Sequence, residues 1–199
     1  MINIGVLISG RGSNLQAIID AAEAGEIPAE VAVVISNKPD AYGLERAKKH
    51  NITTAVFEPK KFVDKSAYES ELVKVLKQHN VELVCLAGYM KIVGEVLLKD
   101  YQGKMINIHP SLLPKFPGLH AQKQALDAGA KVSGVTVHFV DEGCDTGPII
   151  LQKQVPVLDG DTEETLSARI LEQEHKAYPE AIKLFVEGEI KTRKGKGGL

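Results

Sequence analysis

IGVLISGRGSNLQAIIDAAEAG, residues Ile4–Gly25, reads as strand, glycine turn and helix in immediate succession. Ile4–Ser9 is an unbroken apolar run, the pattern of a strand covered on both faces. Beyond the turn, Leu15, Ile18, Ile19 and Ala22 recur at the spacing of one helical face, and Gly25 supplies a stop. A doubly covered strand that feeds a helix is the repeating unit of a parallel α/β sheet.

The next hundred residues repeat it. Val31–Ser36 is a strand, followed by a helix through Leu44–Lys49 and a weaker strand at Thr53–Phe57. Ser66–Gln78 sets Tyr68, Leu72, Val75 and Leu76 on one helical face, with His79 next on that face, and Leu83–Ala87 is again continuously apolar. Met105–His109 is one more strand, and Ala121–Ala128 a short helix. Then the pattern changes. Gly134–Val140 alternates strictly and Pro148–Val157 follows after a short loop, so this pair is expected to extend the parallel sheet in antiparallel fashion. A long helix comes last, with Asp161 and Glu164 at the spacing of a helix start. No repeat or linker divides the chain. Residues 1–187 are expected to form one α/β domain, a mostly parallel sheet with helices on both faces and antiparallel C-terminal strands. Residues 188–199, GEIKTRKGKGGL, are expected to be a basic, glycine-rich, frayed tail.

Totals exclude several classes. A chain of 199 residues with 44% apolar residues can bury one sizeable core. Its net charge of −2 argues against nucleic-acid binding, which rests on clustered Lys and Arg. Cys85 and Cys144 are the only cysteines, so neither a disulfide framework nor a thiolate metal site is implied. Cys85 lies in an apolar run and reads as core; Cys144 reads as a bystander. The start MINIGVLISG has no basic lead and is too short to span a bilayer. The expectation is a cytoplasmic protein, monomer or homodimer, acting on small molecules without membrane or nucleic acid.

The glycine turn sits where α/β proteins place a phosphate: glycines let a ligand approach the backbone, and free amides at the helix start favour an anion. The dinucleotide fingerprint is incomplete, since its third small residue would fall at Leu15 and Ile35-Ser36-Asn37 ends the second strand without an acid. A triphosphate loop fails too, for want of Lys-Ser/Thr. Two compatible readings remain: a cap formed by Ser13 and Gln16, or a monophosphate site at Gly12, Ser13 and Asn14.

In Met105–His109, Asn107 and His109 project to one face, and Pro110 ends the strand. An amide beside a protonated imidazole offers two donors to an oxyanion forming at a carbonyl; the alternative is that both residues satisfy backbone groups near a turn. Thr136 and His138 share a face of the alternating strand. The loop after it, DEGCDTGP, carries Asp141, Glu142 and Asp145. A carboxylate near an imidazole favours its charged form. His50 and His79 fall at helix C-termini and read as caps, whereas His175 could be buried or ligand-facing. No histidine pair has compact metal spacing, so no metal is expected.

LISGRGSNLQAII, NIHPSLLPKFPGLHA, VTVHFVDEGCDTGPII and EQEH, in this order and spacing, resemble the folate-dependent phosphoribosylglycinamide formyltransferase family over roughly residues 3–185. The resemblance implies a single-domain, Rossmann-like formyltransferase fold. It implies transfer of a formyl group from 10-formyltetrahydrofolate to the amine of glycinamide ribonucleotide, in de novo purine synthesis. It assigns Asn107, His109 and Asp145 as the catalytic trio, with Thr136 in support, and Asp145 as the group that raises the His109 pKa and assists proton transfer. Gly12, Ser13, Asn14 and Glu174 match positions for the ribonucleotide. Lys65, Met90, Lys91, Ile92 and Val93, with Asp141, Glu142, Gly143 and Cys144, match the folate segments. His120 and His138 take supporting roles. Members often carry Arg where this chain has Lys65 and Lys91, and lysine lacks the planar fork for a carboxylate. A formyltetrahydrofolate hydrolase is the nearest alternative, although water needs no phosphate turn. A methionyl-tRNA formyltransferase would need an RNA-binding extension. A silent nucleotide- or folate-binding module would not need all three polar catalytic positions.

Overall fold

The computed structural model describes residues 1–190. Its first half runs β1 (Ile2–Ile8), α1 (Ser13–Glu23), β2 (Ala29–Ser36), α2 (Tyr42–Lys49), β3 (Thr53–Val56), a 3-10 turn (Pro59–Lys61) and α3 (Lys65–Gln78). It continues through β4 (Leu83–Leu86), α4 (Glu95–Asp100), β5 (Met105–His109), α5 (Ala121–Asp127), β6 (Val132–Phe139), β7 (Ile149–Pro156) and α6 (Glu163–Val186). From residue 191 on, the basic tail expected at 188–199 lies outside the described residues.

One seven-stranded sheet has the order β3-β2-β1-β4-β5-β6-β7. The first five strands are parallel, while β5–β6 and β6–β7 pair antiparallel, as the change to strict alternation foretold. Each face of the sheet has its own core. Ile4, Val6 and Ile8 of β1 enter one with Leu15 and Ile18 of α1 and Ile170 and Tyr178 of α6. Leu7 points the other way, into a core with Leu72 and Leu76 of α3 and Leu97 of α4. The two-residue period of a strand therefore explains why Ile4–Ile8 of β1 must be apolar throughout. Among the described residues no helix is long and apolar enough to cross a membrane.

Two helix starts differ from expectation. Ser13 does not cap α1: the N-cap is Gly12, in the left-handed region at φ 69°, with no side-chain cap. The cap of α6 is Thr162, whose side chain accepts from Thr165 N–H in a capping box, one residue past the expected Asp161. Asp161 binds Arg169 instead, at 2.7 and 2.9 Å, and takes Leu158 N–H at 2.7 Å. Acids and hydroxyls crowd 159–165, so several registers of the same signature compete there. The short α4 had no legible signal.

Candidate active site

The connections change direction at β1 and β4, with β2 and β3 on one side and β5 to β7 on the other. The carboxyl ends of strands at such a point form the crevice where open α/β sheets bind ligands. Here β1 releases the glycine turn, β4 releases the segment ending at Gly94, and β5 ends on His109.

Strand register brings four polar side chains to one face, because Asn107 pairs with His138 and His109 with Thr136. Asp145 arrives from the β6–β7 loop in a left-handed conformation, φ 57°. Its Oδ2 lies 3.3 Å from His109 Nδ1 and accepts Gly118 N–H at 2.9 Å. Its Oδ1 lies 3.6 Å from His138 Nε2 and accepts from Asn107 Nδ2 at 3.5 Å. Burial alone would raise the Asp145 pKa. The contact with His138, the Gly118 amide and the His109 charge outweigh it and hold the carboxyl at about 2.

His109 Nε2 donates to Phe116 O at 2.8 Å. Both ring nitrogens therefore face acceptors, an arrangement complementary to the doubly protonated ring. Phe116 has φ 56°, an uncommon conformation for a bulky residue, and it aims one carbonyl at both His109 and Ser111 Oγ. Asn107 Nδ2 makes only long contacts, 3.3 Å to His138 Nε2 and 3.5 Å to Asp145, which leaves its protons weakly held.

The remaining residues of this group divide by what they touch. Thr136 is fully buried. Its hydroxyl donates to Ser111 O at 2.6 Å and accepts from Leu113 N–H and Gln152 Nε2, so it holds the proline loop and does not face the crevice. His138 Nδ1 donates to Phe139 O at 2.8 Å. His120 is turned to Glu163, 3.7 Å away, and is not brought to Asp145. Asp141 shapes the β6–β7 loop by accepting from Gly143 N–H and Thr146 Oγ1. Cys144 is exposed, and burial, with Asp145 adding negative charge, raises its thiol pKa, which disfavours the nucleophilic thiolate.

At the glycine turn, no side chain among the described residues caps the first amides of α1, which favours the anion reading over the cap. A Cβ on Gly12 would come within 2.6 Å of Gly43 Cα, and Gly43 N–H donates to Gly10 O at 3.0 Å. Arg46 Nε donates to Arg11 O at 2.9 Å. Asn14 Nδ2 donates to Glu174 Oε2 at 2.7 Å, while its Oδ1 is buried without a partner among the described residues. Burial raises the Glu174 pKa against the opposing Asn14 bond. His175, the neighbour of Glu174, lines a groove of about 720 Å³ with Ser13, Gln16 and Arg46. Burial, then the Arg46 charge, lowers its pKa. His79 and His50 are the C-cap residues of α3 and α2: His79 Nδ1 bonds Val75 O, and His50 N–H donates to Ala47 O while its ring meets Glu23 and Gln16.

A second cleft, of about 530 Å³, gathers Lys65, Met90, Lys91 and Ile92 with Phe62 and Tyr68. Met90 and Ile92 are 62% and 72% exposed, an apolar wall flanked by two cations. Val93 packs instead against the core shared with α3. Gly43, Phe116 and Gly118 carried no sequence signal as site residues, because each contributes main chain or close approach.

A family model described as formyl transferase matches residues 2–182. Over 197 residues the chain is 46% identical to phosphoribosylglycinamide formyltransferase of Escherichia coli (strain K12), covering 99% of this chain and 93% of that protein. It is 53% identical over 190 residues to the trifunctional purine biosynthetic protein adenosine-3 of Drosophila pseudoobscura pseudoobscura, covering 94% of this chain; it spans only 14% of that relative's length. The crystal structure of glycinamide ribonucleotide transformylase 1 from Symbiobacterium toebii superposes with a TM-score of 0.93 at 56% identity, covering 94% of this chain and 89% of that one.

Proposed function

The chain belongs to the formyl transferase family, and from that premise we propose that it transfers the formyl group of 10-formyltetrahydrofolate to the amine of glycinamide ribonucleotide, a step of de novo purine synthesis. The observation that carries this reading is the meeting of Asp145 with Asn107 and His109 of β5, beside the neighbouring strands β1 and β4 that release a phosphate-type turn and a segment lining a cationic, apolar cleft.

The turn at Gly12, Ser13 and Asn14 receives the ribonucleotide phosphate on its free amides. Glu174 accepts from a ribose hydroxyl while Asn14 fixes its other oxygen. The donor fits the cleft: Met90, Ile92 and Phe62 face its flat rings, and Lys65 and Lys91 meet its acidic tail as point charges. The β6–β7 loop, Asp141–Cys144, closes the donor side.

The neutral amine attacks the formyl carbon, and the carbonyl oxygen becomes an oxyanion. Asn107 Nδ2, whose protein contacts are long, turns a proton to that oxygen. His109 supports it in doubly protonated form, its Nδ1 proton shared across 3.3 Å with Asp145. One such donor is worth roughly 3–4 kcal/mol of barrier. The amine then loses a proton as the bond from formyl carbon to folate nitrogen breaks, and that nitrogen gains one. Asp145, ionised at neutral pH, assists this relay through water.

The test mixes the protein with both substrates and follows deformylated folate. Release that depends on the ribonucleotide is expected. Release at the same rate without it would sink the transferase reading and favour a hydrolase.

A further inference from the structure

The segment between β4 and α4 has almost no main-chain pairing. Ala87 N–H donates to Leu7 O at 2.9 Å, and the next main-chain bond onward among the described residues is Leu98 N–H to Gly94 O at 3.0 Å. Two buried side chains from elsewhere hold what lies between. Ser9, at the end of β1, is 5% exposed, and Glu69, on α3, is 3% exposed. Ser9 Oγ accepts Met90 N–H at 2.8 Å while its own proton goes to Asn37 Oδ1 at 2.6 Å, which keeps a lone pair aimed at Met90. Glu69 Oε1 accepts Gly94 N–H at 2.6 Å, and Oε2 accepts Leu97 N–H at 3.3 Å. A Cβ on Gly94 would lie 2.8 Å from both carboxylate oxygens and 2.7 Å from Lys65 Cε. The chain therefore passes directly over the carboxylate, and glycine alone permits the approach.

We propose that Ser9 and Glu69 are positioning residues for the formyl-donor site: two fixed acceptors, one at each end, that hold Met90–Ile92 as a wall of the cleft. The inference rests on the donor reading of that cleft and deepens it. Neither group needs to touch the donor, because each acts through a main-chain amide. Lys65 and Tyr68 sit on the same helix as Glu69 and line the same cleft, so one carboxylate sets the distance between its two walls.

The experiment measures steady-state constants for Glu69→Ala, Glu69→Gln and Ser9→Ala, with donor and ribonucleotide varied separately, together with amide hydrogen exchange. Losing the two amide bonds of Glu69, or the one from Met90 N–H to Ser9, is expected to raise the donor KM about tenfold or more in Glu69→Ala and about tenfold in Ser9→Ala, with kcat at saturating donor changed less than about twofold. Glu69→Gln should fall between, since its amide oxygen still accepts from Gly94 N–H. The ribonucleotide KM should move less than the donor KM, and exchange at 88–97 should quicken while β5 stays protected. An unchanged donor KM, or kcat and both KM values worsening together, would overturn the role. A wild-type chain that binds no donor overturns the donor reading and this inference with it. A wild-type chain that binds donor while the variants match it overturns the inference alone.

Discussion

His109 meets an acceptor at each ring nitrogen, and Asp145 meets five neighbours through two oxygens: Asn107, His109, Gly118, His138 and the Cys144 thiol. Those counts set what each substitution removes. His109→Ala deletes the charge beside the reacting carbonyl and the ring that meets Asp145, but nothing at the glycine turn. Single-turnover formyl transfer should fall by about 10²- to 10³-fold, with ribonucleotide affinity by calorimetry nearly unchanged; near-normal turnover would refute the assignment. Asp145 adds a stability term with a defined sign. Its folded pKa, about 2, lies below the ordinary aspartate value of about 4. The unfolded chain therefore binds the extra proton, and the contribution is full above about pH 4 and lost as pH falls through about 2. At neutral pH it is worth about 2 kcal/mol. Urea unfolding at pH 6 and pH 3 should show a smaller acid-induced loss in Asp145→Asn than in wild type; equal losses would exclude the linkage. At this scale sequence was informative where a strand imposed direction. The shared face of Asn107 and His109 follows from period two, but the approach of Asp145 depends on a left-handed loop residue, which no local pattern announces.

Elements matter through how closely they approach. The glycine turn is legible as a loop, yet its shape depends on α2, where Gly43 packs backbone to backbone on Gly12. A Cβ at Gly43 would stand 2.5 Å from Ile8 Cδ1 and 3.3 Å from Gly12 Cα. Overpacking of this kind costs about 1–3 kcal/mol. Gly43→Ala should therefore raise the ribonucleotide KM about tenfold or more while the donor KM holds, the reverse of the Glu69 variants. Equal movement of both constants would show that the turn and the donor segment are one unit. Strands and long helices could be read because their periodicity accumulates over many residues. The α4 helix, Glu95–Asp100, spans too few turns for that, and Glu69 steadies its start from α3. The contact joins residues far apart in sequence, so its signal is absent from either segment.

Across the whole molecule, α6 ties the end of β4 to the start of β5. Tyr178 is fully buried on α6, and its hydroxyl donates to Leu86 O at 2.8 Å and Ile106 O at 3.2 Å. Leu86 is the last residue of β4, and Ile106 directly precedes Asn107. One proton shared between two carbonyls thus ties the helical layer to the strands that release the donor segment and the catalytic face. Sequence shows the apolar stripe of α6 but not this polar tie, since a tyrosine on a buried face reads as packing. Tyr178→Phe keeps the ring and leaves both carbonyls without that donor, at a cost of about 1–2 kcal/mol. If the sheet holds its strand ends without help, urea unfolding will register that loss while kcat and both KM values at 25 °C stay near wild type. If both KM values rise together, Tyr178 sets the relative position of the two substrate sites, and the crevice depends on the α6 layer as much as on the strand order.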